Sequence, residues 1–205
     1  MANRSLMYRH PGIYNLIVKI LHGNALDERY KIIAREIGIN KKVMDVGCGT
    51  GNLAKFLNKK CSYSGIDLNE NFVAYAKNNG FNVKVGDLTD EKNYSQCDVA
   101  VICDVLHHII PDDKKIVEIC KNKSKRTIIC EPFHETVFID KILNKFRNSK
   151  LFHNLFGEAD GINDFDDMKE WNSYGKDDVL KIMKCYGAKK TLVVGNDVIG
   201  IIENC

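Results

Sequence analysis

The chain has 205 residues and a formal net charge of +3. This length favours one domain with a substantial core, and so small a charge gives no reason to expect a nucleic-acid partner, which needs a strongly basic face. The eight cysteines contain no CxxC pair, so the sequence indicates no metal site. Several cysteines stand in apolar runs, where we expect reduced thiols that pack as small hydrophobic groups.

Helical periodicity predicts two helices in residues 1–40, which we expect to cap the domain that follows. The first helix begins after Pro11 and ends at Gly23, and the second ends at Gly38. The apolar window IYNLIVKILHG is too short to cross a membrane and contains Lys19. Because no signal-peptide pattern precedes it, we expect a cytoplasmic protein without a transmembrane segment.

From Val43 onward, short apolar runs alternate with helical patterns. The runs, in chain order, are VMDV, YSGID, NVKV, DVAVIC, RTIICE, KTLVV and VIGIIE. Apolar stripes at helical spacing lie between them, at 53–57, 116–120 and 179–183. This alternation is typical of an α/β fold with a mostly parallel sheet and helices on both faces. Gly-Asn-Asp joins the last two runs, which predicts a hairpin and an antiparallel last strand.

Residues 133–175 interrupt this alternation between the fifth and sixth predicted strands. An insertion of this length usually has its own structure and often covers a site, so we expect a helical lid. Its residues 137–146 predict a basic amphipathic helix. One hypothesis is that the apolar face of the lid packs on the sheet. The alternative is a cover for a hydrophobic acceptor collected by peripheral contact with a membrane surface.

Three glycines, Gly47, Gly49 and Gly51, follow the first predicted strand in the stretch VMDVGCGTGN. A triphosphate loop needs a lysine after the last glycine, and a dinucleotide turn has its third glycine one position later. Asp45 stands two residues before the turn, where a carboxylate would repel a pyrophosphate. It would instead suit a ligand that carries an ammonium group and a cationic sulfur.

Acidic residues recur at the ends of the next three predicted strands. Asp67 ends the second strand, where it can accept both hydroxyls of a ribose. Asp87 follows the third strand with Leu88 beside it, and Asp104 ends the fourth. Open α/β sheets bind ligands at the carboxyl ends of their strands. The sequence therefore predicts a cationic, phosphate-free nucleoside, a description that S-adenosylmethionine fits.

The motifs VMDVGCGTG, GIDLN, GDLTD and CDVLHHI, in this order and spacing, resemble those of class I S-adenosylmethionine-dependent methyltransferases. The resemblance covers residues 40–132 and implies a Rossmann-like, seven-stranded sheet in the order 3-2-1-4-5-7-6, in a single domain over residues 1–205. It also implies the cofactor contacts: Asp45, Gly47, Cys48, Gly49 and Gly51 for the methionine part, Asp67 for the ribose, Asp87 and Leu88 for the adenine, and Cys103 and Asp104 beside the sulfonium, with Leu68 as a further cofactor contact.

Candidate groups for the acceptor side follow the fourth and fifth predicted strands. A general base is needed only if the acceptor must lose a proton. His107 with Glu131 is the preferred catalytic pair. The alternative for the histidines is structural, with one ring buried against the helix that follows. Further candidates for substrate contact are His108, His134, Trp171 and Tyr174.

The residues after the fourth strand also bear on the substrate. Enzymes that methylate amino groups of adenine, cytosine or glutamine often carry Asn/Asp-Pro-Pro-aromatic at this place, and this chain does not. The pattern DVLHHI resembles the branch that methylates small molecules, quinone precursors and lipids. We therefore expect in-line methyl transfer to a small acceptor, for which a hydrophobic molecule is one option, and S-adenosylhomocysteine as product. The alternatives are an RNA or protein methyltransferase and a non-catalytic S-adenosylmethionine-binding module. The oligomeric state stays open.

Overall fold

A computed structural model describes residues 6–134 and 171–204. Within these ranges the chain forms one sheet in the order β3-β2-β1-β4-β5-β7-β6. Its strands are β1 (Lys42–Val46), β2 (Ser62–Asp67), β3 (Val83–Val85), β4 (Cys97–Cys103), β5 (Ser124–Pro132), β6 (Lys190–Val194) and β7 (Asp197–Glu203). The order is the one that the motif resemblance implies.

The strands from β1 to β5 pair in parallel, whereas β7 runs antiparallel to both β5 and β6. This confirms the predicted hairpin and the reversed last strand. In the central register, Asp45 on β1 pairs with Gly65 on β2 and Val101 on β4. The carboxyl ends of these strands therefore meet at one edge of the sheet.

Six helices flank the sheet in the described part of the chain. They are α1 (Leu6–Arg9), α2 (Pro11–His22), α3 (Asn24–Ile37), α4 (Glu70–Asn78), α5 (Asp113–Lys123) and α6 (Lys176–Cys185). Gly23 and Gly38, both with positive φ, follow α2 and α3 as the sequence predicts. The stripe at 53–57 is different: it forms only a short 3₁₀ turn (Leu53–Phe56), because Leu57 adopts an extended backbone.

The central strands are covered on both faces, which explains the continuous apolar run in β4, whereas the edge strands β3 and β6 keep exposed positions. Along β4, Val99 and Val101 pack with Ile33 of α3 on one face. Ala100 and Ile102 belong to a second cluster on the opposite face, together with residues of α5 and α6. Because successive side chains of a strand point to opposite faces, a strand covered on both sides must be apolar at every position.

Most of the predicted insertion, residues 135–170, lies outside the described residues. None of the helices within 6–134 and 171–204 is long and apolar enough to cross a membrane.

Candidate functional site

An open cleft with about 920 Å³ of empty space, part of it continuous with solvent, lies at the carboxyl ends of β1, β2 and β4. Its lining includes three of the predicted acids, Asp45, Asp67 and Asp104. No lysine or arginine is among the described residues that line it. Since Lys and Arg are the usual side-chain partners of phosphates, this lining favours a cationic or neutral ligand.

The glycine turn forms the floor of the cleft. Gly47 and Gly51 have φ of 73° and 78°, in the left-handed region that glycine tolerates. The available space also requires glycine: a Cβ at Gly47 would clash with Cγ2 of Val105, and one at Gly51 would lie 2.7 Å from Cδ2 of Phe81. Only a short 3₁₀ turn follows the glycines, so the N-terminal dipole of a long helix is not available for a pyrophosphate.

Asp67 joins the end of β2 to the glycine turn. Its Oδ2 accepts a 2.7 Å hydrogen bond from the backbone N–H of Gly49, and its Oδ1 accepts one of 2.7 Å from that of Asn69. Each carboxylate oxygen has two lone pairs, so both can accept a ligand hydroxyl in addition. Asp67 thus shapes the turn and presents acceptors to the cleft.

Asp45 is buried at the end of β1, with 3% of its surface exposed. Tyr63 donates a 2.8 Å hydrogen bond to its Oδ2. Burial raises the pKa of this carboxyl from 3.8 to about 7, the nearby charge of Asp67 adds to the rise, and the hydrogen bond from Tyr63 opposes it. A cationic group placed beside Asp45 would stabilise the ionised form.

Asp104 follows β4 with φ of 57° and forms an ion pair with Arg29 of α3. Arg29 is 1% exposed and also contacts Asp197, the first residue of β7. The sequence-based search missed Arg29. A signal for it exists, since a charged residue stands there on the apolar stripe of α3, between Leu26 and Ile33.

Aromatic side chains from α1 and α2 lie over the cleft, and sequence reasoning missed these as well. Tyr8 stacks on Phe72 of α4 with 5.7 Å between ring centroids, and Tyr14 lies 4.7 Å from the same ring. His108 meets Tyr8 edge-on at 6.4 Å. These four side chains and Tyr30 all line the cleft. The N-terminal helices therefore supply an aromatic wall.

Asn15 of α2 ties this wall to the cleft floor. Its Oδ1 accepts hydrogen bonds from Oγ1 of Thr50 at 2.7 Å and from Nδ2 of Asn52 at 2.9 Å. Asn69 adds a second link, because its Nδ2 donates to the carbonyl oxygen of Tyr8 at 2.8 Å. We call the two hydrogen bonds of Asn15 the α2 latch.

The other predicted cofactor residues divide into two groups. Gly47, Cys48, Gly49, Leu68, Leu88 and Cys103 line the cleft, as do the three acids Asp45, Asp67 and Asp104, whereas Gly51 does not. Asp87 does not line it: the side chain is exposed, and its Oδ1 accepts hydrogen bonds from the N–H and the hydroxyl of Thr89. Its contact with an adenine amino group stays a prediction.

His107 and Glu131, the predicted catalytic pair, are buried and do not line the cleft. Oε1 of Glu131 accepts hydrogen bonds from the N–H groups of Val105 at 3.0 Å and Leu106 at 2.9 Å. Its Oε2 lies 2.5 Å from Nδ1 of His107. The pair therefore holds the 3₁₀ turn (Leu106–His108) that carries His108 into the cleft. A catalytic role for the pair stays a prediction.

The remaining predicted substrate residues lie beside this turn rather than in the cleft lining. Trp171 is buried, its ring centroid is 5.7 Å from that of His107, and its Nε1 donates to the carbonyl oxygen of Pro132. The backbone N–H of His134 donates to the carbonyl oxygen of Tyr174. Substrate contact by His134, Trp171 and Tyr174 stays a prediction.

Comparison with known proteins adds family information. A family model described as a methyltransferase domain matches residues 37–185. "Putative methyltransferase 235L" of Invertebrate iridescent virus 6 is 31% identical over 140 residues, which are 63% of this chain and 52% of the viral protein. The match therefore spans about half the length of that relative.

Two solved structures have the same fold. The magnesium protoporphyrin IX methyltransferase ChlM from Synechocystis PCC 6803, with bound SAH, has a TM-score of 0.59 at 17% identity, over 92% of this chain and 86% of that one. The PH0226 protein from Pyrococcus horikoshii OT3 has a TM-score of 0.60 at 17% identity, over 85% and 86% of the two chains.

Proposed function

Because this chain belongs to the methyltransferase-domain family, we propose that it transfers the methyl group of S-adenosylmethionine to a small acceptor and releases S-adenosylhomocysteine. The observation that carries this proposal is the cleft lining, with three acids, a glycine turn and no cationic side chain among the described lining residues. Such a lining suits a cationic nucleoside better than a phosphorylated one.

The residues in the cleft fit this cofactor part by part. We assign Asp45 to the ammonium group, because a cation beside it would remove the cost of ionising a buried carboxyl. We assign Asp67 to the ribose hydroxyls, and Leu68 and Leu88 to the faces of the adenine. Cys103 and Asp104 stand at the other end of the cleft, where they would border the sulfur.

Methyl transfer requires little covalent chemistry from the protein. The bound cofactor supplies an activated methyl group on a cationic sulfur, and the protein has to align the acceptor and exclude water. Alignment alone can lower the barrier by several kcal/mol, of the ~7–11 kcal/mol available from effective molarity. The aromatic wall and the α2 latch cover the cleft from the side of α1 and α2, so they would provide the exclusion of water.

The residues at the acceptor end of the cleft suit a hydrophobic or aromatic small molecule. Tyr14, Tyr30 and Ile109 line this end of the cleft with Asp104 and His108. If the acceptor must lose a proton, a ring nitrogen of His108 is the candidate to take it, because His108 reaches the cleft and His107 does not. Peripheral membrane contact and a cytoplasmic location stay predictions.

Calorimetry with S-adenosylhomocysteine and with NAD tests the cofactor assignment. We expect micromolar binding of the first and none of the second. Asp67→Ala should weaken binding by roughly ten- to a hundredfold, the worth of hydrogen bonds to a charged group. Asp90→Ala is the matched control, because Asp90 also accepts from the N–H two residues on but lies outside the cleft lining. Binding of NAD alone would refute the proposal.

The acceptor is found by incubating the protein with methyl-labelled S-adenosylmethionine and a cell extract separated into small molecules, lipids, RNA and protein. Label in a small-molecule or lipid fraction supports the proposal. Label in RNA or protein favours the alternative substrate class. Tight binding of the cofactor with no label in any fraction favours a non-catalytic binding module.

A further inference from the structure

We propose that Arg29 is a positioning residue, which fixes the carboxylate of Asp104 in its ionised form at the sulfonium end of the cleft. The inference rests on the proposed function, because it needs S-adenosylmethionine in this cleft. Arg29 lies outside residues 37–185, the region that the family model matches. Membership of the family therefore does not account for it.

The guanidinium of Arg29 connects three parts of the fold. It belongs to α3 and forms a two-pronged ion pair with Asp104 after β4, through Nη1 and Nη2. Nη1 is also 3.2 Å from Oδ2 of Asp197 at the start of β7. A buried arginine carries a large desolvation cost, which only a well-matched set of acceptors offsets. The planar guanidinium group of arginine carries N–H donors on several nitrogens, so it can donate to two carboxylates at once.

The two carboxylates differ in what they face. The side chain of Asp197 is 1% exposed, whereas that of Asp104 is 24% exposed and lines the cleft. Asp197 is therefore an internal anchor for Arg29, and Asp104 is presented to a ligand. A link that only held α3 to the sheet would work equally well between apolar side chains.

The backbone of Asp104 makes its orientation sensitive to this contact. Its φ of 57° is left-handed, a conformation that aspartate adopts only occasionally. Its N–H donates a 2.9 Å hydrogen bond to the carbonyl oxygen of Cys130 on β5. With the backbone held in this way, the ion pair with Arg29 acts on the direction of the carboxylate.

Other titratable groups also face Asp104. The phenols of Tyr14 on α2 and Tyr30 on α3 lie near it, and burial raises the pKa of both, so both are neutral at working pH. The thiol of Cys103 precedes it on β4, with Cys130 beside that thiol on β5. His108, a further ionisable side chain, lines the same cleft. The test must therefore separate Asp104 from His108.

The charge of Asp104 has a measurable consequence. S-adenosylmethionine carries a cationic sulfur and S-adenosylhomocysteine a neutral one, while their ammonium, ribose and adenine groups are the same. An ionised Asp104 at the sulfur therefore favours the first ligand, and contributions from Asp45 and Asp67 cancel in the ratio of the two dissociation constants. Without Arg29, Asp104 would lose a positive charge that favours its ionised form, while burial and the nearby Asp197 would favour the protonated form.

The experiment measures both dissociation constants by calorimetry at several pH values between about 6 and 9, a range that lies above the ordinary pKa of a carboxyl group. Relative to the wild type, Arg29→Gln should lower the preference for S-adenosylmethionine by about three- to tenfold at the acidic end and regain it at the basic end. In the double variant Arg29→Gln/Asp104→Asn, this pH dependence should vanish, although His108 is unchanged. Arg29→Lys keeps the positive charge but loses the planar guanidinium with its two parallel N–H groups. Its preference for S-adenosylmethionine over S-adenosylhomocysteine should therefore fall equally at every pH.

Arg126→Gln is the matched control, because Arg126 also bridges two elements, through Glu36 and Glu203, but lies outside the cleft lining. In Arg126→Gln, the ratio of the dissociation constants for the two ligands should equal that of the wild type. If Arg29→Gln weakens both ligands equally at every pH, Arg29 is only a structural link and the inference fails. If Arg29→Gln does not fold, Arg29→Lys is measured instead, and a ratio of the two dissociation constants equal to that of the wild type overturns the inference. If neither ligand binds the wild type, the proposed function itself fails.

Discussion

The phenol of Tyr63 on β2 donates a 2.8 Å hydrogen bond to the carboxyl group of Asp45 on the adjacent strand β1. This contact stabilises the ionised form of Asp45, but burial outweighs it and raises the pKa to about 7. The carboxyl group can therefore change its charge in the neutral range. An ammonium group beside it would shift it to the carboxylate, which couples ligand binding to the release of a proton.

We expect the affinity for S-adenosylhomocysteine to depend on pH through Asp45. With a pKa of about 7, the carboxyl must lose its proton before it can pair with the ammonium group. The dissociation constant should therefore be about tenfold higher at pH 6 than at pH 8 and level off above that. Calorimetry in buffers of different ionisation enthalpy measures affinity and proton release together. Asp45→Asn should bind weakly at every pH, and an equally steep pH dependence in that variant would assign the titration to another group.

Tyr63→Phe should move this pH dependence upward. The substitution removes a hydrogen bond that lowers the pKa of Asp45 and leaves the ring in place. The midpoint of the affinity curve should rise by about one unit, because a hydrogen bond to a charged group is worth roughly 1.5–3 kcal/mol and water recovers part of it. Binding at high pH should change little. A midpoint equal to that of the wild type would mean that the Tyr63 contact does not act on the charge of Asp45.

Asp45→Asn should stabilise the cofactor-free protein at high pH. A carboxyl whose folded pKa is raised binds its proton more tightly in the folded state than in the unfolded one. Its contribution to stability is therefore complete below about pH 4 and is lost as the pH rises through about 7. The variant should exceed the wild type by roughly 2–4 kcal/mol in free energy of unfolding at pH 8 and by much less near pH 5. Urea unfolding across this range gives the difference, and a gap that is constant with pH would contradict it.

Asn15→Ala should speed the release of the cofactor. Asn15 accepts two hydrogen bonds, from Thr50 and Asn52, and so holds α2 over the glycine turn. Two hydrogen bonds worth about 0.5–1.5 kcal/mol each predict a rise in the dissociation rate of roughly five- to a hundredfold. Stopped-flow displacement of S-adenosylhomocysteine measures this rate. Asn78→Ala, an exposed change on α4, is the control and should leave the rate unchanged. No change in the Asn15 variant would show that α2 does not retain the ligand.

The fold was predictable because its requirements are local. The central strands are covered on both faces and form apolar runs in the sequence, most clearly β4, and the glycines after α2 and α3 end those helices. The stripe at 53–57 was too short to distinguish an α-helix from a 3₁₀ turn. The acids at strand ends were predictable for a related reason: the carboxyl ends of parallel strands meet, and Asp45, Asp67 and Asp104 all line one cleft.

Contacts between distant parts of the chain were not predictable in this way. Arg29 meets Asp104 across 75 positions and Asp197 across 168, and no local pattern states such a pairing. The latch between Asn15 and Thr50 spans 35 positions. Asp87 is a different case: its place after a strand predicts a contact with the adenine, which stays a prediction, and its side chain is not part of the cleft lining. β3 is a short edge strand, and the carboxylate of Asp87 bonds Thr89 in the exposed loop that follows.

Variants of Glu131 and His107 should reveal whether this pair acts on structure or on chemistry. Oε1 of Glu131 accepts from two buried N–H groups, so Glu131→Ala should lower the free energy of unfolding by about 2–5 kcal/mol. Glu131→Gln keeps an acceptor oxygen and should fold.

Because neither residue of the pair lines the cleft, we expect Glu131→Gln and His107→Gln to keep the affinity for S-adenosylhomocysteine within a few-fold. His108→Gln, in the lining, should lower turnover of the acceptor by roughly 10²–10⁴-fold if a base is needed. A loss of that size in folded His107→Gln, with His108→Gln unaffected, would instead make His107 the base.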